Sequence, residues 1–502
     1  MSRALARKAF PQRSPFRFAL AFAAGAASVL AYAPFGFYPV ALASLLLLVS
    51  LWLAAGSPRE ALWTGYCYGL GLFGVGVSWV FISLHRFGGM PAPVAALATL
   101  GFCALLAAYP ALAGWLQAHI KLSEPLRAAL VVPAAWTLAE WLRAWLLTGF
   151  PWLDAGYAAV DTPLAGLAPL GGVYAMSLAT VACAGLIWCV AFARGRWVAA
   201  VALVALLAGG AALRGLAWTT PSGAPVSAAL LQGNVPQDLK FSPVRYAQTL
   251  ATYAALAEQT RARLIVLPET ALPRFLDNID PRYLGRLERA ARRNDGDLLL
   301  GVPYRAAPGE YYNSVLSLGV SPRQFYHKVH LVPFGEFVPP GFAWIMRLLS
   351  IPLSDFSRGA PDQPPLAVAG QRVAVDICYE DAYGAEIARA LPEATLLANV
   401  SNVAWFGDSL APAQHLEIAR LRALETGRMM LTATNTGITA AIDRDGRVLA
   451  RLPQFVTGGL EVAAQGYSGA TPYVRYRDWP VLGVAVALLA AAFFVARLRR
   501  SR

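Results

Sequence analysis

The chain is short of charged residues. Only 14% of its 502 residues are Asp, Glu, Lys or Arg, whereas about a quarter is usual in soluble domains. Hydrophobic residues make up 57%, and several apolar runs reach the roughly 20 residues that cross a bilayer. This composition argues against an entirely soluble protein and favours a polytopic membrane protein.

Eight apolar runs are predicted to span a membrane, seven before residue 215 and one near the C-terminus. They cover approximately 16–33, 38–55, 61–84, 93–118, 126–147, 172–193, 197–214 and 479–496. Buried helices of a large soluble protein are the alternative, but so many lightly charged runs are not typical of them. The first run lacks an obvious small-residue cleavage site, so we expect a retained anchor rather than a signal peptide.

Acidic residues are scarce outside one segment. Between Thr219 and Asp478 the chain holds 25 Lys or Arg and 24 Asp or Glu, while the remainder holds 17 and 5. The net charge of +13 therefore belongs almost entirely to the apolar part. The composition predicts three regions: 1–218 with seven spans, a soluble domain over 219–478, and 479–502 with a last span and a basic tail.

The basic residues of the apolar part are unevenly placed. They cluster in both tails and in alternate loops, at Arg59, at Lys121 and Arg127, and at Arg194 and Arg196. By the positive-inside rule, both termini are predicted to be cytoplasmic and the soluble domain to lie on the opposite face. The charge is explained by topology, so no nucleic-acid partner is predicted.

The soluble segment also lacks a second cysteine. Four of the five cysteines fall in apolar runs, which leaves Cys378 alone in a domain expected to lie in an oxidising compartment. Asp376, Glu380 and Asp381 surround it, and nearby carboxylates disfavour a thiolate. A lone cysteine in this setting indicates a specific role. Scattered histidines lack metal-ligand spacing, so neither a metal nor another cofactor is predicted.

Short apolar strands alternate with polar helices in this segment, which predicts an α/β domain with a central sheet and outer helices. The predicted strands are 226–235, 263–269, 297–304, 313–320, 324–332, 372–380, 395–402 and 430–443. The predicted helices are 242–261, 281–294, 383–391 and 411–428. Strand ends are the default place for chemistry in such domains.

Three strand ends carry unexpected polar residues. Glu269 ends LIVLPE, Lys328 interrupts the apolar strand of HKVHLVP, and Cys378 stands where the strand of DICYE gives way to a turn. Singly, a glutamate there caps a helix and a strand lysine lies on a solvated edge. Together they supply a general base, a cation and a nucleophile.

In this scheme Glu269 takes the proton of Cys378, and Lys328 with the backbone N–H of Tyr379 stabilises the oxyanion. Glu336 positions Lys328 or relays protons. A Cys–His pair is the competing scheme, since His327, His330 and His415 lie in the same domain.

The motifs LPET, HKVHLVPFGEFVP and ICYE resemble the nitrilase superfamily, and within it the membrane-bound apolipoprotein N-acyltransferases. QGNVPQDLKF (232–241), SNVAWFGDS (401–409) and HLEIARLRALETGR (415–428) extend the resemblance, as do the apolar runs, so it covers essentially the whole chain.

The resemblance implies an αββα sandwich with a Glu269–Lys328–Cys378 triad, supported by Glu336, Tyr379 and Glu380. It implies a ping-pong reaction in which a phospholipid, commonly phosphatidylethanolamine, acylates the cysteine. The thioester then acylates the α-amine of a diacylglyceryl-cysteine apolipoprotein. A monomer in the bacterial inner membrane with a periplasmic catalytic domain is the expected setting.

Two further positions are expected to contact substrate, Phe241 and Trp405. The family often has tryptophan at the position of Phe241 and usually aspartate at that of Val403, so contacts there are altered. Two other functions stay open. One is a membrane-tethered nitrilase-type amidase with water as acceptor, and the other is a non-enzymatic receptor or transporter with a degenerate nitrilase-like domain. The triad argues against the second, and the spans argue against the first.

Three local expectations complete the analysis. The apolar stretch 337–353 follows Glu336 directly and is predicted to be a mobile arm that dips into the membrane. The loop 148–172, rich in Trp, Tyr and Pro, is expected along the headgroup layer. Glu140 and Arg143, three apart in one span, are expected to form an ion pair.

Overall fold

The computed structural model describes residues 14–338 and 355–499. The described residues form two compact units. One comprises the chain up to Phe81, Pro93–Leu216 and the chain from Tyr476, and the other comprises Ile82–Ala92 and Ala217–Arg475. Most of the predicted arm, residues 339–353, lies outside the described residues.

The first unit is helical, and each predicted apolar run coincides with a helix. The main helices are Ser14–Ser28, Tyr38–Leu53, Pro58–Gly76, Ala92–His119, Val132–Trp145, Ala168–Phe192, Arg196–Arg214 and Trp479–Leu498. Within the described residues, five helical stretches are long and apolar enough to cross a membrane, or six if the pair Pro58–Gly76 and Val80–Phe87, bent by 56°, is one span. The first two helices are apolar but shorter. The count of eight spans therefore stays a prediction.

The loop 148–172 is largely buried within the protein, and its expected place along the headgroup layer stays a prediction. Residues 151–160 are all buried, and Asp154 forms an ion pair with Arg143. The predicted ion pair between Glu140 and Arg143 is wrong, because the carboxylate paired with Arg143 is that of Asp154. Glu140 instead accepts hydrogen bonds from the Trp136 indole at 2.7 Å and the Ala155 amide at 2.8 Å. The folded loop brings a second carboxylate to the arginine, which spacing along one helix does not reveal.

The second unit contains fourteen strands among its described residues. They are β1 (Thr219–Pro221), β2 (Val226–Gln232), β3 (Leu264–Val266), β4 (Asp297–Ala307), β5 (Glu310–Gly319), β6 (Phe325–His327), β7 (Leu366–Val368), β8 (Gln371–Ile377), β9 (Leu396–Ser401), β10 (Met430–Thr434), β11 (Ala440–Ile442), β12 (Val448–Arg451), β13 (Gly458–Ala464) and β14 (Tyr467–Gly469).

Twelve of these strands build two six-stranded sheets. Their orders are β13-β2-β3-β4-β5-β6 and β12-β11-β10-β9-β8-β7, and β1 pairs with β14 in a separate ribbon. At the centre of each sheet three strands run parallel, β2-β3-β4 in one and β8-β9-β10 in the other. Parallel neighbours place their carboxyl ends at one edge, which is where the polar motifs follow the strands.

The two sheets share one apolar core. Leu230, Val266 and Val315 of the first sheet belong to the same buried cluster as Val400 and Leu431 of the second. Helices cover the outer faces. Pro243–Gln259 and Pro281–Arg292 contribute to the core on the first sheet, and Ala411–Thr426 to that on the second. This is the predicted αββα sandwich.

Several strands end earlier than predicted, and three departures from prediction affect the site or the sheets. The strand predicted over 324–332 ends at His327, so Lys328 follows it instead of interrupting it. The strand predicted over 430–443 divides into β10 and β11, which pair antiparallel. Five strands were not predicted, β1, β7, β12, β13 and β14; β12 and β13 lie at sheet edges, where half-exposed side chains weaken the apolar pattern.

Asp297 should be a sensitive stabilising residue of the sandwich. Its buried carboxylate accepts hydrogen bonds from the Ser321 amide at 2.8 Å, the Ser321 hydroxyl at 2.7 Å and the Ala369 amide at 2.7 Å. Asp297→Asn turns an amide NH2 toward these donors, so we expect a loss of about 1–3 kcal/mol. Asp295→Asn is the matched control, because the side chain of Asp295 is 84% exposed. Melting temperatures in detergent test this, and equal shifts for both variants would contradict it.

Candidate active site

Lys328 lies at the centre of a buried cluster of charges. Its side chain is 1% exposed, and its Nζ lies 3.5 Å from Glu269 Oε1 and 2.9 Å from the Glu336 carboxylate. Burial alone disfavours the ammonium, but Glu336 and Glu269 outweigh it and raise the pKa of Lys328. The lysine is therefore a permanent cation. The structure brings together the predicted base, the predicted cation and Glu336.

Asn313 of β5 joins the two carboxylates. Its Nδ2 donates to Glu269 Oε1 at 2.7 Å and to Glu336 Oε1 at 2.8 Å. Its main-chain carbonyl also accepts from the Lys328 amide at 2.8 Å, which fixes the start of the lysine loop. Sequence analysis missed Asn313, because an asparagine inside a long strand carries no motif of its own.

The other oxygen of Glu269 is held from the second sheet. Oε2 accepts from the main-chain amide of Asn402 at 2.9 Å, just after β9. Although burial alone would raise the pKa of Glu269, Lys328 and Lys240 hold it below its ordinary value. In the resting site Glu269 is thus an ionised acceptor with fixed orientation, as a general base requires.

Cys378 occupies a strained turn directly after β8. Its φ is +59°, a left-handed conformation that is unfavourable for a residue with a Cβ. Its carbonyl accepts from Asn399 Nδ2 at 2.8 Å and lies 3.2 Å from His415 Nε2. These contacts stabilise the strained backbone and present the side chain at the strand end.

The thiol of Cys378 is the resting form. Burial and then the Glu269 carboxylate raise the pKa of Cys378, while Lys328 opposes them. This agrees with the expectation drawn from its acidic neighbours. Since the site does not store a thiolate, the predicted scheme requires that proton transfer to Glu269 accompanies attack on a carbonyl, with Lys328 close enough to the base to neutralise the new oxyanion.

Glu380 organises the loop that carries Lys328. Its Oε1 accepts from the amides of Val329 at 2.7 Å and His330 at 2.9 Å, and its Oε2 accepts from the Ile377 amide at 2.7 Å and the Tyr326 hydroxyl at 3.1 Å. One carboxylate therefore ties the loop after β6 to the turn after β8. Burial raises the pKa of Glu380 to about 7.

Tyr379 also contacts the lysine loop. Its hydroxyl donates to the Leu331 carbonyl at 2.9 Å, and Lys328 Nζ lies 5.8 Å from its ring centroid. The ring therefore packs over the ammonium, where a cation–π attraction adds to the ion pairs.

Each of the three histidines of the competing scheme has a partner other than the thiol, although His415 Nε2 also lies 3.2 Å from the Cys378 main-chain carbonyl. His327 Nδ1 lies 2.7 Å from the Ser314 hydroxyl, and its ring stacks on Tyr312. His330 pairs with Glu386 at 3.1 Å, and His415 pairs with Asp381 at 3.1 Å. These partners favour Glu269 as the base.

Sequence analysis missed a second buried lysine. Lys240 is 2% exposed, and its Nζ donates to the main-chain carbonyl of Glu269 at 3.3 Å. A signal was present, because Lys240 and Lys328 are the only lysines between Thr219 and Asp478 and every other basic residue there is arginine.

The two residues predicted to contact substrate are close in sequence to residues that hold Glu269. Phe241 follows Lys240 directly and is partly buried. Trp405 lies in the turn Val403–Phe406, three residues after Asn402, with its ring edge-on to Phe87 at 6.1 Å. Val403 is buried at 3% exposure, so an apolar side chain suits that position.

Comparison with known proteins assigns a family to each part of the chain. Residues 24–186 match the apolipoprotein N-acyltransferase N-terminal domain, and residues 227–473 match the carbon-nitrogen hydrolase family. A protein of Nitrosomonas europaea named apolipoprotein N-acyltransferase is 48% identical over 96% of this chain and 98% of its own length. Proteins of the same name from Ralstonia nicotianae and Methylococcus capsulatus are 46% identical, over 97% and 96% of this chain and 94% and 96% of their own.

Glu380→Gln should impair the site through the lysine loop. A glutamine retains one acceptor oxygen and turns an NH2 toward main-chain donors, so the loop must shift. We expect acyl-enzyme formation to slow about 10²-fold, the usual effect of a displacement near 1 Å at a reacting centre. The measurement is the rate at which the mass of Cys378 increases after addition of phospholipid. Glu393→Gln is the control, because its side chain is 65% exposed; similar rates for both variants would contradict the role.

Proposed function

This chain belongs to the apolipoprotein N-acyltransferase family, and we propose that Cys378, Glu269 and Lys328 carry its two acyl transfers. The protein is an acyltransferase of lipoprotein maturation. The observation that supports the residue assignment is the buried lysine shared by Glu269 and Glu336, next to a thiol whose pKa responds to all three groups.

In the first transfer the sulfur of Cys378 attacks the sn-1 ester carbonyl of a phospholipid. Glu269 takes the thiol proton, and the ammonium of Lys328 stabilises the tetrahedral oxyanion. The intermediate collapses as Glu269 returns the proton to the departing sn-1 oxygen. The products are a lysophospholipid and a thioester on Cys378.

In the second transfer the neutral α-amine of a diacylglyceryl-cysteine attacks the thioester. Glu269 accepts a proton from the attacking nitrogen, Lys328 again stabilises the oxyanion, and the carbon–sulfur bond breaks. The departing sulfur regains the proton, which restores the thiol and leaves an N-acyl amide. Glu336, Tyr379 and Glu380 keep Lys328 and its loop in place in both steps.

Membrane placement is part of the proposal. Basic tails and alternating basic loops favour eight spans, two cytoplasmic ends and a periplasmic catalytic domain over 219–478. A monomeric enzyme held at the bilayer meets two lipid-anchored substrates directly. Phosphatidylethanolamine is the expected donor, and Phe241, Trp405 and the stretch 337–353 are the expected lipid contacts.

The function is tested with purified enzyme, phosphatidylethanolamine and a synthetic diacylglyceryl-cysteine peptide. Mass spectrometry should detect a third acyl chain on the peptide and an acyl increment on the enzyme. Cys378→Ala should show neither, because the variant has no nucleophile. Release of free fatty acid without a triacylated peptide would instead favour the hydrolase alternative.

The topology is tested with alkaline phosphatase, which folds only where its disulfides form. A fusion after Gly223 should be active, because that turn is proposed to be periplasmic. A fusion after Gly195, between two basic residues of a proposed cytoplasmic loop, should be inactive. The reverse pattern would refute the orientation.

A further inference from the structure

A buried ammonium without a carboxylate hydrogen bond lies beside the base. Lys240 is in the loop after β2, and within the described residues its Nζ hydrogen-bonds to the Glu269 carbonyl at 3.3 Å. An ammonium has three donors, and burying one is costly unless a charge compensates it. Burial lowers the pKa of Lys240 to about 8, because the negative charge of Glu269 offsets the cost of desolvation only in part, so below that pH Lys240 is an ammonium.

The chemical identity of this cation is informative. Elsewhere in the domain, buried structural cations are arginines, such as Arg428, which donates to the carbonyls of Ala394 and Gly469, each at 2.7 Å. Arg422, also buried, pairs with Glu425. Arginine binds several acceptors at once, whereas lysine is a compact point charge. Both lysines of the domain are next to Glu269, which indicates electrostatic work at that carboxylate.

We propose that Lys240 is a second cation of the catalytic centre, a positioning residue that keeps Glu269 ionised at rest and promotes return of its proton. The role rests on the proposed function of the triad. Once Glu269 has taken the proton of Cys378, it is a neutral acid between two ammonium groups. Both cations lower its proton affinity, so the proton passes more readily to the departing sn-1 oxygen.

The charges around Glu269 determine the sign of the effect. The ammonium groups of Lys328 and Lys240 favour the Glu269 carboxylate. The Glu336 carboxylate and Cys378 are the other ionisable groups near it at the strand ends. His415, in the helix Ala411–Thr426, also interacts electrostatically with Glu269. Burial of Glu269 opposes ionisation, so its pKa should rise when one cation is removed. A base with a raised pKa is protonated at higher pH, so activity should be lost earlier on acidification.

The test measures the single-turnover rate of acyl-enzyme formation against pH. In Lys240→Met we expect the acid limb to move upward by about one pH unit, the lower end of what one opposite charge contributes. Lys240→Arg keeps the charge and should keep the wild-type limb even if its maximal rate falls. Lys121→Met is the matched control, because Lys121 is exposed and far from the catalytic motifs in sequence. Melting temperatures establish that each variant is folded.

A Lys240→Met profile that superimposes on the wild type would overturn the inference. So would an acid limb displaced equally in Lys240→Arg, since charge would then not be the cause. If Lys240→Met does not fold, Lys240→Gln takes its place, because it also removes the charge; an acid limb that moves upward supports the role and an unmoved limb refutes it. Wild-type enzyme without any acyl-enzyme would refute the proposed function itself, which is a separate result.

Discussion

The ammonium of Lys328 between Glu269 and Glu336 is the interaction on which the site depends. This interaction joins the loop after β3, the loop after β6 and the turn that carries Glu336. Asn313 of β5 adds hydrogen bonds to both carboxylates. Charges this deeply buried are stable only when paired, and removing one partner of such a pair typically costs about 3–5 kcal/mol. The same cluster that stabilises the strand ends also supplies the proposed base and the proposed oxyanion cation, so fold and proposed chemistry depend on one set of contacts.

The protonation state of Cys378, the proposed nucleophile, is set by the same buried charges. Cys378 occupies a left-handed turn and remains a thiol, since burial and carboxylates oppose its ionisation. A site that stored a thiolate would be open to oxidation in an oxidising compartment. In the proposed mechanism the thiolate forms only when an ester carbonyl is present to accept its electrons and Lys328 stabilises the resulting oxyanion. Keeping Cys378 as a thiol limits its oxidation when no lipid substrate is bound.

Much of the site was predictable because its signals are local. Glu269, Lys328 and Cys378 each stand at the end of a short apolar strand, and unusual polar residues there are visible in a few letters of sequence. Glu336 was predicted to position Lys328 and lies 2.9 Å from its ammonium, whereas Glu380 was named only through the resemblance and without its targets. Asn313 and Lys240 were missed, since each matters for contacts with distant segments, such as those with Glu269 at sequence separations of 44 and 29 residues. The Glu140–Arg143 pair failed for the same reason, as Asp154 reaches Arg143 from a folded loop.

Sequence alone determined the division into apolar and soluble parts and predicted an α/β domain with a sheet and outer helices, because hydropathy and periodicity are properties of neighbouring residues. The αββα layering was implied by the family resemblance, and the assignment of the reacting groups stays a proposal. Tertiary structure alone decided that Asn313 joins the two carboxylates beside the lysine, which main-chain amides hold Glu269 and Glu380, and where the second lysine lies. Those contacts join segments far apart in the chain, and desolvation, which sets the protonation state of every group involved, exists only once the two sheets have closed on each other.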